Sequence, residues 1–110
     1  PRRDLTAHAA AGRDVVVDLD RHQVTVGGRV AHVTPTEFGL LRALAEEPGR
    51  PLTRLEMIEK GLGYNYEGLE RTVDSHVRNL RRKFTDAGCD DLIETRAGVG
   101  YRLGTCSGGG

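Results

Sequence analysis

Apolar spacing divides the chain into a strand-like half, a helical middle and a strand-like end. From Arg13 to Val33 the runs V-V-V-D-L, Q-V-T-V and R-V-A-H-V are separated by the turn formers Asp20-Arg21-His22 and Gly27-Gly28, which predicts a small antiparallel meander. A sheet of that size has one apolar face to cover, so the helices that follow are expected to pack on it. Thr34-Pro35-Thr36-Glu37 then joins an N-cap threonine, a proline at the first helical position and a glutamate placed for a capping box. The helix it opens should bury Phe38, Leu40, Leu41 and Leu44 and stop at Pro48-Gly49. Gly39 inside it costs about 1 kcal/mol relative to alanine, a cost that close packing of the sheet or another helix would explain. Thr53-Arg54-Leu55-Glu56 repeats the capping signature and opens a second helix, with Leu55, Met57, Ile58 and Leu62 expected inward and an end at Gly61 or Gly63.

The third helical stretch, Leu69 to Phe84, is the most sharply patterned. At about 100° per residue, Val73, Val77, Leu80 and Phe84 fall within roughly 60° of one another. Arg71, Ser75, Arg78 and Arg82 project roughly 140° to 200° from Val73, with Asn79 beside them. One face anchors the helix and the opposite face is basic. Guanidinium groups suit phosphate oxygens or the edge of guanine, serine and asparagine can bond base edges or phosphates, and a helix has the width of the major groove of B-form DNA. This makes it a candidate recognition helix, although a solvated basic face explains the helix alone equally well. Beyond it, Asp86-Ala87-Gly88 should end the helix with Gly88 just past the cap. Ile93–Arg96 and Val99–Leu103 then flank Ala97-Gly98 as a terminal hairpin with an exposed tip, to which Arg96 and Arg102 lend positive charge. The expected organisation is a linker remnant over residues 1–12, one domain over 13–104 and a flexible tail over 105–110.

Composition alters this picture in three respects. Three Tyr, two Phe and no Trp among 110 residues imply a mostly aliphatic core. The formal net charge is zero, which taken alone argues against a nucleic-acid partner. However, Arg71, Arg78, Arg81, Arg82 and Lys83 face only Asp74 within the third helix, a local charge of +4 that the rest of the chain offsets. Such asymmetry orients a domain on a polyanion without general stickiness. Finally, Cys89 and Cys106 form no CxxC and no cluster with His8, His22, His32 or His76, so neither a zinc site nor a disulfide framework is expected, and two free thiols would suit a reducing cytosol. No run approaches membrane-spanning length and no charged-then-apolar leader is seen; the start at Pro1 suggests a fragment of a longer chain.

No catalytic set converges. Asp74-Ser75-His76 carries the letters of a hydrolase triad, but helical neighbours point about 100° apart. Asp74 is expected instead to steady Arg78 one turn on. Gly98-Val99-Gly100 is turn chemistry without the helix a dinucleotide site needs, and no P-loop is present. The expectation is a non-enzyme with no cofactor and no metal. Of Tyr64 and Tyr66, one is expected packed and the other exposed.

Three segments, T-P-T-E-F-G-L-L at Thr34–Leu41, R-T-V-D-S-H-V-R-N-L-R-R-K at Arg71–Lys83 and I-E-T-R-A-G-V-G-Y-R-L at Ile93–Leu103, resemble the C-terminal effector domain of OmpR/PhoB-type response regulators. The resemblance covers residues 13–103 with the motifs in the family's order. It implies an α+β winged helix-turn-helix: an N-terminal antiparallel meander, three helices and a C-terminal hairpin wing, with the third helix in the major groove and the wing by the minor groove. It implies cytoplasmic bacterial transcription factors of a two-component phosphorelay, joined to a phosphorylatable receiver domain absent from this chain. It also implies head-to-tail dimers on direct repeats of double-stranded DNA, and contact with RNA polymerase through the loop Gly63, Tyr64, Asn65, Tyr66, Glu67 and Gly68. Carried over by position, the DNA-contact candidates are Arg71, Thr72, Ser75, His76, Arg78, Asn79, Arg81 and Arg82 on the helix, with Thr95, Arg96 and Tyr101 near the wing. Arg71, Ser75, Arg78, Asn79 and Arg82 are also the residues that the helical projection selects. Two departures stand out: Leu62 replaces the family's usual tryptophan, and Arg96 lies one residue from the usual wing arginine, which reverses its face unless the hairpin is bulged or the residue sits in the turn. A winged-helix module that binds protein is the alternative from another class, and it would show no DNA titration.

Overall fold

The computed structural model describes residues 4–8, 14–18, 20–47, 49–63, 70–89 and 92–104. Strands β1 (Asp4–His8), β2 (Asp14–Asp18), β3 (Gln23–Val26) and β4 (Arg29–Ala31) form an antiparallel sheet in that order. Its register sets Val15 opposite Val26, Val17 opposite Val24 and Val24 opposite Ala31, so these five side chains share one face, and all are buried. β1 falls within the stretch expected as linker: residues 4–8 pair along β2 from Asp4↔Asp18 to His8↔Asp14. An edge strand takes its order from the backbone groups of its neighbour, which is why D-L-T-A-H carries little pattern of its own. The β2–β3 turn is organised by Asp18, whose carboxylate accepts hydrogen bonds from the Asp20 and Arg21 amides at 3.0 and 3.1 Å. The His22 ring that follows stacks on Phe38 at 5.0 Å, fastening the turn to the first helix.

Both capping boxes form. In α1 (Pro35–Ala45) the Thr34 hydroxyl accepts from the Glu37 amide and Glu37 accepts from the Thr34 amide, at 3.1 and 3.0 Å. In α2 (Arg54–Gly61), Thr53 and Glu56 repeat the exchange at 3.0 and 2.9 Å. The two helices meet backbone to backbone at Gly39 and Gly61, where a Cβ on Gly39 would lie 2.5 Å from the Gly61 carbonyl oxygen. The partner that accounts for Gly39 is therefore the second helix. Arg42 then closes α2 by donating to the Lys60 and Gly61 carbonyls at 2.9 and 3.3 Å. Met57 and Ile58 are buried and Leu62 is partly so, but Leu55, expected inward, is 48% exposed. Residues 55 and 57 stand about 200° apart on a helix and cannot share a face.

α3 (Thr72–Asp86) buries Val73, Val77, Leu80 and Phe84, the predicted seam. It begins at Thr72 with Arg71 at the N-cap; Leu69, the expected start, lies outside the described residues. At its end Gly88 adopts φ 97° while the Cys89 amide donates to Phe84 and the Gly88 amide to Thr85, a Schellman termination. Glu37, buried beneath α1, also accepts from Lys83 of α3, tying the first and third helices. Past α3, β6 (Ile93–Arg96) and β7 (Gly100–Leu103) form the hairpin, and β5 (Leu52–Thr53) joins β7 on its other side to give the order β5-β7-β6. β5 escapes sequence reading because two residues have no period. It fastens the hairpin to the start of α2. The helices between meander and hairpin make the expected α+β winged helix-turn-helix.

Cys89 corrects an expectation. It is buried and disulfide-bonded, not a free thiol. Spacing along the chain says nothing of what the fold brings beside it; Cys106 lies outside the described residues.

Candidate nucleic-acid interface

The seam of α3 faces the core, so its opposite side faces outward by geometry alone. Arg71, Ser75, Arg78 and Arg82 are exposed, while Thr72, His76, Asn79 and Arg81 are half-buried on the flanks. The three exposed arginines have no hydrogen-bond or ion-pair partner among the described residues. Arg81 differs. It reaches sideways to the hairpin, donating Nε and Nη2 to the Ile93 carbonyl at 3.1 and 2.9 Å and Nη2 to the Thr95 hydroxyl at 2.8 Å. Its guanidinium also stands over the Tyr101 ring, 5.5 Å from the centroid.

Tyr101 is the centre of a junction between α2, α3 and the hairpin. Its ring is buried and its hydroxyl donates to the Asp74 carboxylate at 2.5 Å. The same carboxylate oxygen accepts from Arg54 Nε at 2.8 Å, and the Arg54 guanidinium lies 5.4 Å from the Tyr101 ring centroid. The Tyr101 hydroxyl and then Arg54 hold the Asp74 carboxyl below the usual carboxylate range. Burial, and then Asp74, pushes the Tyr101 phenol up, so at neutral pH the tyrosine donates and the aspartate accepts. The expected pairing of Asp74 with Arg78 is thus corrected: Asp74 bonds across the fold, and Arg78 acts on it only through space. Arg54 went unnoticed in the sequence because a first-turn arginine carries no sign that an aspartate 20 residues on will face it.

On the hairpin, Thr95 pairs with Tyr101 and Arg96 with Gly100 without a bulge. Thr95 and Tyr101 therefore share the face turned towards α3, and Arg96 projects from the other face at the last paired position before the turn. The face reversal that the sequence indicates is present. Arg96 is exposed, but Arg102 is joined to Glu94 at 2.7 Å across the strands, so its contribution to the wing's charge is largely offset. Of the loop from Gly63 to Gly68, only Gly63 is among the described residues. Among the described residues no group of three or more His, Cys, Asp or Glu is placed to hold a metal ion, and no helix is long and apolar enough to cross a membrane.

With this geometry in hand, similarity to known proteins is informative. The chain is 36% identical over 90 residues to the heme response regulator HssR of Staphylococcus epidermidis, covering 82% of this chain and 40% of HssR. It is 39% identical over 102 residues to the DNA-binding response regulator MtrA of Mycolicibacterium paratuberculosis, covering 92% of this chain and 45% of MtrA. It thus spans less than half the length of these relatives. The solved DNA-binding domain of response regulator AdeR, in complex with an intercistronic region, superposes with a TM-score of 0.74 at 34% identity, covering 83% of this chain and 94% of that one. Residues 28–103 match the family described as "Transcriptional regulatory protein, C terminal". The chain belongs to this family, the C-terminal effector domains of OmpR/PhoB-type response regulators.

Proposed function

We propose that this chain binds double-stranded DNA sequence-specifically, as the output domain of a two-component response regulator that controls transcription. α3 enters the major groove and the β6–β7 hairpin lies beside the minor groove. The observation that carries this reading is the row of uncommitted arginines, Arg71, Arg78 and Arg82, opposite the buried seam of α3. Ser75 and Asn79 add base or phosphate contacts, Thr72, His76 and Thr95 are placed for backbone phosphates, and Arg96 is the wing's exposed cation. Arg81 and Tyr101 serve chiefly by fixing the wing against the helix. The domain carries no catalysis of its own. By analogy with its relatives it works in the bacterial cytoplasm, attached to a receiver domain, as head-to-tail dimers on direct repeats, with residues 63–68 towards RNA polymerase.

Selection of bound fragments from random duplex DNA tests the reading and yields the half-site. The recovered duplex should bind with a log-log salt slope near −3.6 if about four phosphates are contacted. Arg78→Ala or Arg82→Ala should weaken binding by about 1–3 kcal/mol, and relax sequence choice at one position if the residue reads a base. Wild-type affinity in both variants, or recovery of no duplex, would reject the proposed orientation.

A further inference from the structure

We propose that Arg54, at the first position of α2, is a DNA-backbone contact, and that Asp74 is the positioning residue that presents it. This rests on the DNA-binding reading and extends it from α3 to a second helix. Arg54 is gripped along one edge, by Nε to Asp74 at 2.8 Å, and its side chain remains 39% exposed. Its guanidinium lies over Tyr101, whose hydroxyl bonds to the same Asp74 oxygen. Position and plane are thus both restrained before any ligand arrives. Asp74 adjoins Ser75 and stands one helical turn from Arg78, both exposed on the outward face, so the restrained guanidinium sits at the rim of that face. A free arginine loses much rotamer freedom on meeting a phosphate, and one already held loses less.

Asp74 is otherwise hard to place on a surface meant for a polyanion, since a carboxylate repels phosphate. Arg54 and Arg81, both within reach of Tyr101, outweigh it and leave the junction positive. The ligand class is the phosphodiester oxygen of duplex DNA, approached from the α2 side of α3. This contact carries no base information, because it reaches only the backbone.

The test uses the duplex that the wild-type chain selects from a random pool, with binding followed across salt concentrations. Arg54→Ala should weaken binding alike for matched and mismatched duplexes and reduce the salt slope by about 0.9, the share of one phosphate. Arg54→Lys should keep the slope, since the charge remains. Asp74→Asn should weaken binding although it removes a negative charge, and in that background Arg54→Ala should cost little more. Thermal unfolding of each variant separates lost contact from lost fold; a purely structural Arg54 would lower the melting temperature and leave the slope alone. Tighter binding by Asp74→Asn would overturn the positioning role. An unchanged slope in Arg54→Ala, with a reduced one in Arg82→Ala, would overturn the Arg54 contact while leaving DNA binding by α3 intact. Recovery of no duplex by the wild type would overturn both.

Discussion

Arg81 and Arg82 are neighbours on one helix with opposite assignments. About 100° of rotation points the first at the wing and the second at solvent. Arg81 serves the Ile93 carbonyl and the Thr95 hydroxyl, so Arg81→Ala should destabilise the fold by about 1–3 kcal/mol, the range for a hydrogen bond to a charged group. Arg82→Ala should stay within about 0.5 kcal/mol of wild type, as an exposed substitution with no partner. Urea unfolding of the two variants checks the contrast. The Asp74–Tyr101 bond has a pH signature. The Asp74 carboxyl is depressed in the fold, so its stabilisation is complete above the ordinary carboxylate range and is lost as the pH falls through the folded value. Tyr101→Phe removes the largest cause of that depression, and its melting temperature should therefore depend less steeply on pH in the acid range. At the alkaline end the raised phenol works in the other direction: stability falls once the pH passes the ordinary tyrosine value, because the unfolded chain ionises first.

Among the elements, those governed by neighbours a few residues apart were the ones readable from the chain. The capping boxes of α1 and α2, the seam of α3 and its glycine stop each depend on atoms within about one turn, so residue identity suffices. β1 and β5 were unreadable for the opposite reason: each is a strand only because another strand offers it a ladder, β2 in one case and β7 in the other. The Gly39–Gly61 crossing falls between these cases. The glycine inside α1 signals a close neighbour, but only the packed structure names α2. Gly39→Ala should destabilise by about 1–3 kcal/mol despite the roughly 1 kcal/mol that alanine gains in helix propensity, because the new methyl meets a backbone carbonyl that cannot turn aside. A urea midpoint at or above wild type would mean that the helices can separate without loss.

Across the whole molecule, balance of charge and concentration of charge are different properties: 16 basic and 16 acidic residues cancel, yet α3 keeps its uncommitted arginines on one outward face. The Cys89 disulfide is also a property at this scale, since it braces the segment just past α3. Reduction should lower stability by about 2–4 kcal/mol, read as a lower melting temperature with a thiol reductant and an equal one in Cys89→Ser with or without it. From residue order alone follow the helices, their caps, the apolar flank of α3 and the basic row facing away from it, because these depend on helical geometry and nearby partners. Which cations are committed to the fold and which remain free for a ligand does not follow from order. Arg54 meets Asp74 across 20 positions, Tyr101 meets Asp74 across 27 and Arg81 meets Ile93 across 12, and contacts of that range exist only once the core has brought α2, α3 and the hairpin together.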